Sequence, residues 1–103
     1  MKRLDYWKLD GKTPVPCDDT FYMDIKDRRV AEDVIQGTRI STVFLQINYQ
    51  SDPKGPPLLF ETMIFDSDVK DLCYYQERYS TWEEAEAGHK KAVELVKERM
   101  EKK

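Results

Sequence analysis

Two hydrophobic periods divide this chain and leave little choice of architecture. From Arg29 to Tyr49 apolar side chains recur at every second residue, the spacing of a strand with unlike faces. From Trp82 to Met100 they recur at three and four, the spacing of a helix with one apolar stripe. Strands followed by a single long helix read as an α+β fold: an antiparallel sheet of four or five strands covered by a C-terminal helix. With 103 residues there is material for one such core, so the whole chain, 1–103, is expected to be a single domain.

The segments fill in as follows. RVAEDVI, the pair Gln36-Gly37 and TRISTVFLQINY form a β-hairpin signal with glycine at the turn. On its second strand Val43, Leu45, Ile47 and Tyr49 share one face, and Ile40, Thr42, Phe44, Gln46 and Asn48 share the other. The first row is the more purely apolar and is expected to face the core. QSDPKGPP is a loop stiffened by prolines, LLFETMIFD supplies the next strand, and LCYYQERY can form another after the polar turn DSDVKD. Near the start LDYWKL reads as a short strand ended at Asp10-Gly11. TFYMDIKD reads as a short helix with Asp18 or Asp19 as N-cap, a strand being the alternative. The long helix is expected over 81–101, with Ser80 as N-cap and Glu83 closing a capping box. Its apolar face carries Trp82, Ala85, His89, Ala92, Val93, Val96 and Met100.

Several function classes are disfavoured by composition. The formal charge is −3, from 17 basic and 20 acidic residues, so no global field draws the chain to nucleic acid or acidic lipid. The lysines of the C-terminal segment are interleaved with glutamates, as at Glu86/Lys90 and Glu98/Lys102, which is how a solvated helix surface looks. MKRLDYWKLD lacks the apolar stretch of a secretory signal, and no segment approaches the ~18 apolar residues of a membrane span; the expectation is a cytoplasmic protein without membrane contact. Cys17 and Cys73 lack metal or redox spacing and are expected to be reduced, partly buried thiols. The glycines form no phosphate loop, and Asp66 to Glu77 imitates a calcium loop only in part, with Lys70 and Asp71 at positions that need an oxygen ligand and a glycine. No cofactor or metal is therefore expected.

Glu61 is the conspicuous charge. It sits inside LLFETMIF, whose two faces, Leu59/Met63/Phe65 and Leu58/Phe60/Thr62/Ile64, are both largely apolar. A carboxylate in such surroundings must be paired or held protonated. It is either a general base or anchoring charge, or, the favoured reading, an ion pair with Arg39, Arg78 or a lysine on a neighbouring strand. His89, the single histidine, lies on the apolar helix face and reads first as a satisfied boundary residue. Glu61 and His89 could meet as an acid/base pair, but no nucleophile motif accompanies them, and no catalytic residue is assigned. Tyr49, Tyr74, Tyr75 and Trp82 join Glu61 and His89 as candidate binding residues, because aromatic side chains of this kind concentrate at interfaces.

The blocks STVFLQINY, GPPLLFETMIFD and YSTWEEAEAGHKKAV, in that order, resemble a family of small uncharacterised proteins encoded in bacteriophages and prophages. The resemblance runs from about Arg28 to Val93, and departs at Gln46 and at Asp66-Ser67, where that family often carries glycine. It implies a phage origin and an α+β fold, and brings no activity or catalytic residue with it. The expected function is that of a non-enzymatic phage accessory protein that binds a host or phage protein. The alternatives are a self-assembling dimer or minor structural component, and a small enzyme using Glu61 and His89.

Overall fold

The computed structural model describes residues 6–18 and 22–101, and has the α+β architecture. Four strands, β3 (Arg29–Ile35), β4 (Thr38–Phe44), β5 (Phe60–Phe65) and β6 (Gln76–Tyr79), form an antiparallel sheet in that order. The helix α2 (Trp82–Glu101) lies across one face of it. A separate hairpin of β1 (Tyr6–Asp10) and β2 (Thr13–Cys17) joins the sheet's end through a bridge between Tyr6 and Ile47. No helix among the described residues is long and apolar enough to cross a membrane.

The centre of the sheet is written twice in the sequence. ISTVF and FETMI run antiparallel, so that Ile40 pairs with Ile64, Thr42 with Thr62 and Phe44 with Phe60. All six side chains point at α2 and are almost completely buried. They split the interior in two: Ile40 and Ile64 pack with Leu72, Ala92 and Val96 at one end, and Phe44 and Phe60 pack with Leu59 and Ala85 at the other. The phenyl rings are 5.3 Å apart and tilted, and Trp82 meets Phe60 edge-on at 6.2 Å, contacts that add about 0.5–1.5 kcal/mol each beyond the area they bury.

This inverts the expected core face. The row of Ile40, Thr42 and Phe44 covers the helix side, while Val43 is only half-buried on the outer side and Tyr49, beyond the strand, is 46% exposed. Counting apolar residues misleads here because each threonine finds a hydroxyl partner and so costs little to bury. Other boundaries also shift. The N-terminal helix is a single turn, α1 (Ile25–Arg28), with Asp24 at its N-cap position; Asp19 and Phe21 lie outside the described residues. LCYY is not strand: Lys70–Tyr74 is a 3-10 turn that buries Leu72, and only the last four residues of LCYYQERY pair with β5. The capping box is one residue later than expected. Thr81 Oγ1 accepts from the Glu84 amide and Glu84 Oε1 accepts from the Thr81 amide, both at 3.1 Å, which places Trp82 at the first helical position, against Phe60.

Turns with positive φ hold the connections. Gln36 (φ 46°) and Gly37 (φ 85°) make the two-residue turn between β3 and β4, both left-handed, as a hairpin following the strand twist requires. Gln46 (φ 67°) and Asp66 (φ 61°) are left-handed too. At Gln46 the side chain compensates: its Oε1 accepts from the Met23 amide at 2.9 Å and its Nε2 donates to the Trp7 carbonyl at 3.3 Å, tying β1 to the sheet.

Gly88, in mid-helix, lets β6 approach α2. A Cβ there would collide with the ring and hydroxyl of Tyr79. Alanine is intrinsically better than glycine in a helix by about 1 kcal/mol, but overpacking costs about 1–3 kcal/mol, and here a rigid ring would have to move. Gly88→Ala is expected to lower the unfolding free energy in a urea melt, and to raise it in a Tyr79→Ala background, where the obstacle is gone.

Candidate functional site

Two polar constellations occupy opposite faces of the sheet. Beneath α2, one side chain from each strand and one from the helix form a continuous chain of hydrogen bonds. Asp33 of β3 meets His89 Nε2 at 2.8 Å, His89 Nδ1 meets Thr42 Oγ1 at 2.7 Å, Thr42 meets Thr62 at 2.5 Å, and the Tyr79 hydroxyl donates to Thr62 at 3.2 Å. A carboxylate only accepts, so Nε2 carries a proton. With a neutral imidazole, Nδ1 then accepts from Thr42, Thr42 from Thr62 and Thr62 from Tyr79, and every hydroxyl proton points the same way. An imidazolium would have to donate at Nδ1 and reverse the Thr42 hydroxyl.

Asp33–His89–Thr42 has the order of an acid–base–hydroxyl triad, yet its hydroxyl is inaccessible. Thr42 and Thr62 are fully covered and His89 is 4% exposed, while the Asp33 side chain is 53% exposed at the sheet edge. What this arrangement can do is fix the helix on the sheet and select one register.

The outer face is built around Glu61. Paired across the strands with Arg78 and projecting away from the helix, its Oε2 accepts from Arg78 Nε at 2.9 Å and from Gln76 Nε2 at 2.7 Å. The Arg78 guanidinium also lies 4.7 Å over the Tyr49 ring. The favoured expectation for Glu61, an ion pair with a neighbouring strand, is therefore what the fold contains. Next along this face Arg39 covers the Phe65 ring at 4.3 Å and bonds to Glu32, which also pairs with Arg29. Val43 and Met63 lie among these groups, half-buried.

The candidate residues are thus partly assembled and partly dispersed. Glu61 and Tyr49 are joined through Arg78. His89 is on the other side of the sheet, so Glu61 and His89 do not meet, and the acid/base pairing imagined for them is replaced by separate partners for each. Tyr74 is 86% exposed on the 3-10 turn, and Tyr75 is half-buried beside α2. Trp82 closes the aromatic end of the core, with Lys12 over its ring and an indole N–H that is buried and unpartnered among the described residues. Asp33, Thr42 and Thr62 were not singled out from sequence, although a threonine at the centre of each apolar row was a visible sign of cross-strand pairing. No group of three His, Cys, Asp or Glu side chains among the described residues is placed to hold a metal; both cysteines are free, with Cys17 half-buried and Cys73 exposed.

Comparison of the chain with models of protein families, with curated proteins and with solved structures finds no match.

Burial raises the pKa of both Tyr75 and Tyr79 above the ordinary 10.0. At Tyr79 the Thr62 hydroxyl opposes the shift and the Glu77 carboxylate adds to it; at Tyr75 the neighbouring Tyr79 and Glu77 add to it. A raised folded-state value means that the neutral phenol is favoured by folding. That contribution is complete below the unfolded value near 10 and is lost as pH rises through the folded values. In an alkaline absorbance titration part of the tyrosine signal should therefore lag behind that of the urea-unfolded chain, and Tyr79→Phe should remove a share of the lag. Thr42→Val, nearly isosteric, strips partners from His89 and Thr62 and should cost about 1–3 kcal/mol in a urea melt. Adding Thr62→Val should cost less than the sum of the single changes, since the two hydroxyls serve each other.

Proposed function

We propose that this chain is a small phage or prophage accessory protein that works in the host cytoplasm by binding a host or phage protein, without chemistry of its own, on the outer face of its sheet. An anti-defence role is one form of this reading. The observation that carries it is the contrast between the two sheet faces. The helix side is closed at every central position, whereas on the outer side Ser41 and Glu61 are buried but Val43, Met63, Phe65 and Tyr49 stay partly open, with guanidinium groups stacked on two of the rings. A partly apolar surface laced with arginine and tyrosine has the composition of an interface core rather than of a solvated sheet face. The polar groups that catalysis would need are occupied: both ring nitrogens of His89 are engaged, and Glu61 is held by Arg78 and Gln76. The phage context rests on the resemblance of the three sequence blocks.

Tagged protein should recover one stoichiometric partner from infected or uninfected host lysate, identified by mass spectrometry. Tyr49→Ala and Met63→Glu, both on the outer side, should reduce that recovery by about ten-fold or more while circular dichroism stays unchanged, which corresponds to at least about 1.4 kcal/mol of binding energy. Glu94→Ala, on the exposed side of α2, should not. Equal recovery by all variants, or recovery of the chain's own copies alone, contradicts the reading.

A further inference from the structure

The sheet has two edges, and they differ. β3 is broken by a register shift between Arg29 and Ala31 and carries Arg29, Glu32 and Asp33, devices that blunt an edge against further pairing. β6 pairs with β5 on one side and has no strand beyond it among the described residues. Beside it lies a groove of about 450 Å³ between β6 and α2. Tyr75, Glu77 and Tyr79 form its sheet wall. Its helix wall is the stripe Glu84, Ala87, Gly88 and Lys91, at the i, i+3, i+4, i+7 spacing that puts them on one side of α2. Gly88 and Ala87 keep that wall low where the Tyr79 ring crosses it.

We propose that this edge and groove bind an extended segment of a different protein, which adds to the sheet as a strand beside β6 and directs a lysine or arginine into the groove. The proposal rests on the reading of the chain as a binding protein but not on its outer face. The main-chain donors and acceptors of an edge strand are complementary to any extended backbone, and specificity in such pairing comes from pockets that receive alternate side chains. The groove holds two carboxylates, Glu77 and Glu84, the latter with Oε1 already bound to the Thr81 amide, against one ammonium, Lys91, and its tyrosine wall suits the aliphatic stem and charged head of a basic side chain.

A second copy of this chain is a poor occupant. Two antiparallel β6 strands related by a two-fold axis normal to the sheet must pair residues of the same face. Centring that pairing within the strand therefore sets Glu77 against the other copy's Glu77, or Arg78 against its Arg78. Like charges directly opposite are destabilising, so the edge discriminates against itself.

The test is selection of short random peptides, displayed on phage, against the immobilised full chain, followed by fluorescence polarisation and amide exchange with a selected peptide. Selected peptides should carry Lys or Arg, and binding should slow amide exchange along Gln76–Tyr79. Ala87→Arg, which fills the groove from an exposed helix position, should weaken binding by about ten-fold or more. Glu77→Lys should turn the selection toward Asp and Glu. Phe65→Ala, on the outer face but beyond the stretch of β5 that pairs with β6, should leave peptide affinity unchanged, which separates this edge from the outer face. The proposal is overturned if no peptide is enriched, if a selected peptide keeps its affinity for Ala87→Arg, or if sedimentation shows self-association that Ala87→Arg abolishes.

Discussion

Thr42 and Thr62 meet in the dry space between sheet and helix, and the fold is organised around satisfying them. A hydroxyl buried without a partner costs about 1–3 kcal/mol, so a two-residue slip of β4 against β5 would leave two such groups facing isoleucine or phenylalanine. In the native register each has the other, His89 completes the chain from the helix side, and Tyr79 and Asp33 extend it to β6 and β3. Apolar burial supplies most of the attraction between α2 and the sheet, but Ile40, Phe44, Phe60 and Ile64 would tolerate several offsets. The hydroxyls tolerate one.

Fixing the helix in this way decides what the other surfaces are. α2 leaves the side of Glu61, Met63 and Phe65 uncovered, and its charges are disposed accordingly. Arg78 stacks on Tyr49 while pairing with Glu61, and Arg39 stacks on Phe65 while pairing with Glu32, so each guanidinium shields an apolar ring and still faces water. The half-exposed Arg39–Glu32 pair adds little to stability, whereas Glu61 is buried and depends on Arg78 and Gln76. Their arrangement keeps that amphipathic face solvated. On the opposite side the close approach of Tyr79 to Gly88 shapes the wall of the groove beside β6, so the same helix placement produces both open surfaces.

Much of this was legible in the amino-acid sequence. The α+β class, the hairpin turn at Gln36-Gly37, the long helix and the pairing of Glu61 with an arginine follow from period, turn chemistry and the cost of burying a charge. What misled was the row of Val43, Leu45, Ile47 and Tyr49, which is more apolar than its opposite: Val43 lies on the outer side, and the strand ends at Phe44 before the row continues. Hydrophobicity alone gives Thr42 no credit for a partner twenty residues away. Ser80 and Thr81 both satisfy the capping pattern, and the choice between them is made by Trp82 packing on Phe60, a tertiary contact. The 3-10 turn at Lys70–Tyr74 is likewise set by the burial of Leu72 against the isoleucine end of the core, not by a local signal.

The most direct test of this account is a long-range proton–nitrogen NMR correlation of the His89 side chain at neutral pH. A single fixed tautomer is expected, protonated at Nε2 toward Asp33 and unprotonated at Nδ1, with a slowly exchanging Thr42 hydroxyl proton coupled to Nδ1. A neutral ring protonated at Nδ1, or one averaging between tautomers, would mean that the chain of hydroxyls does not hold the helix to the sheet.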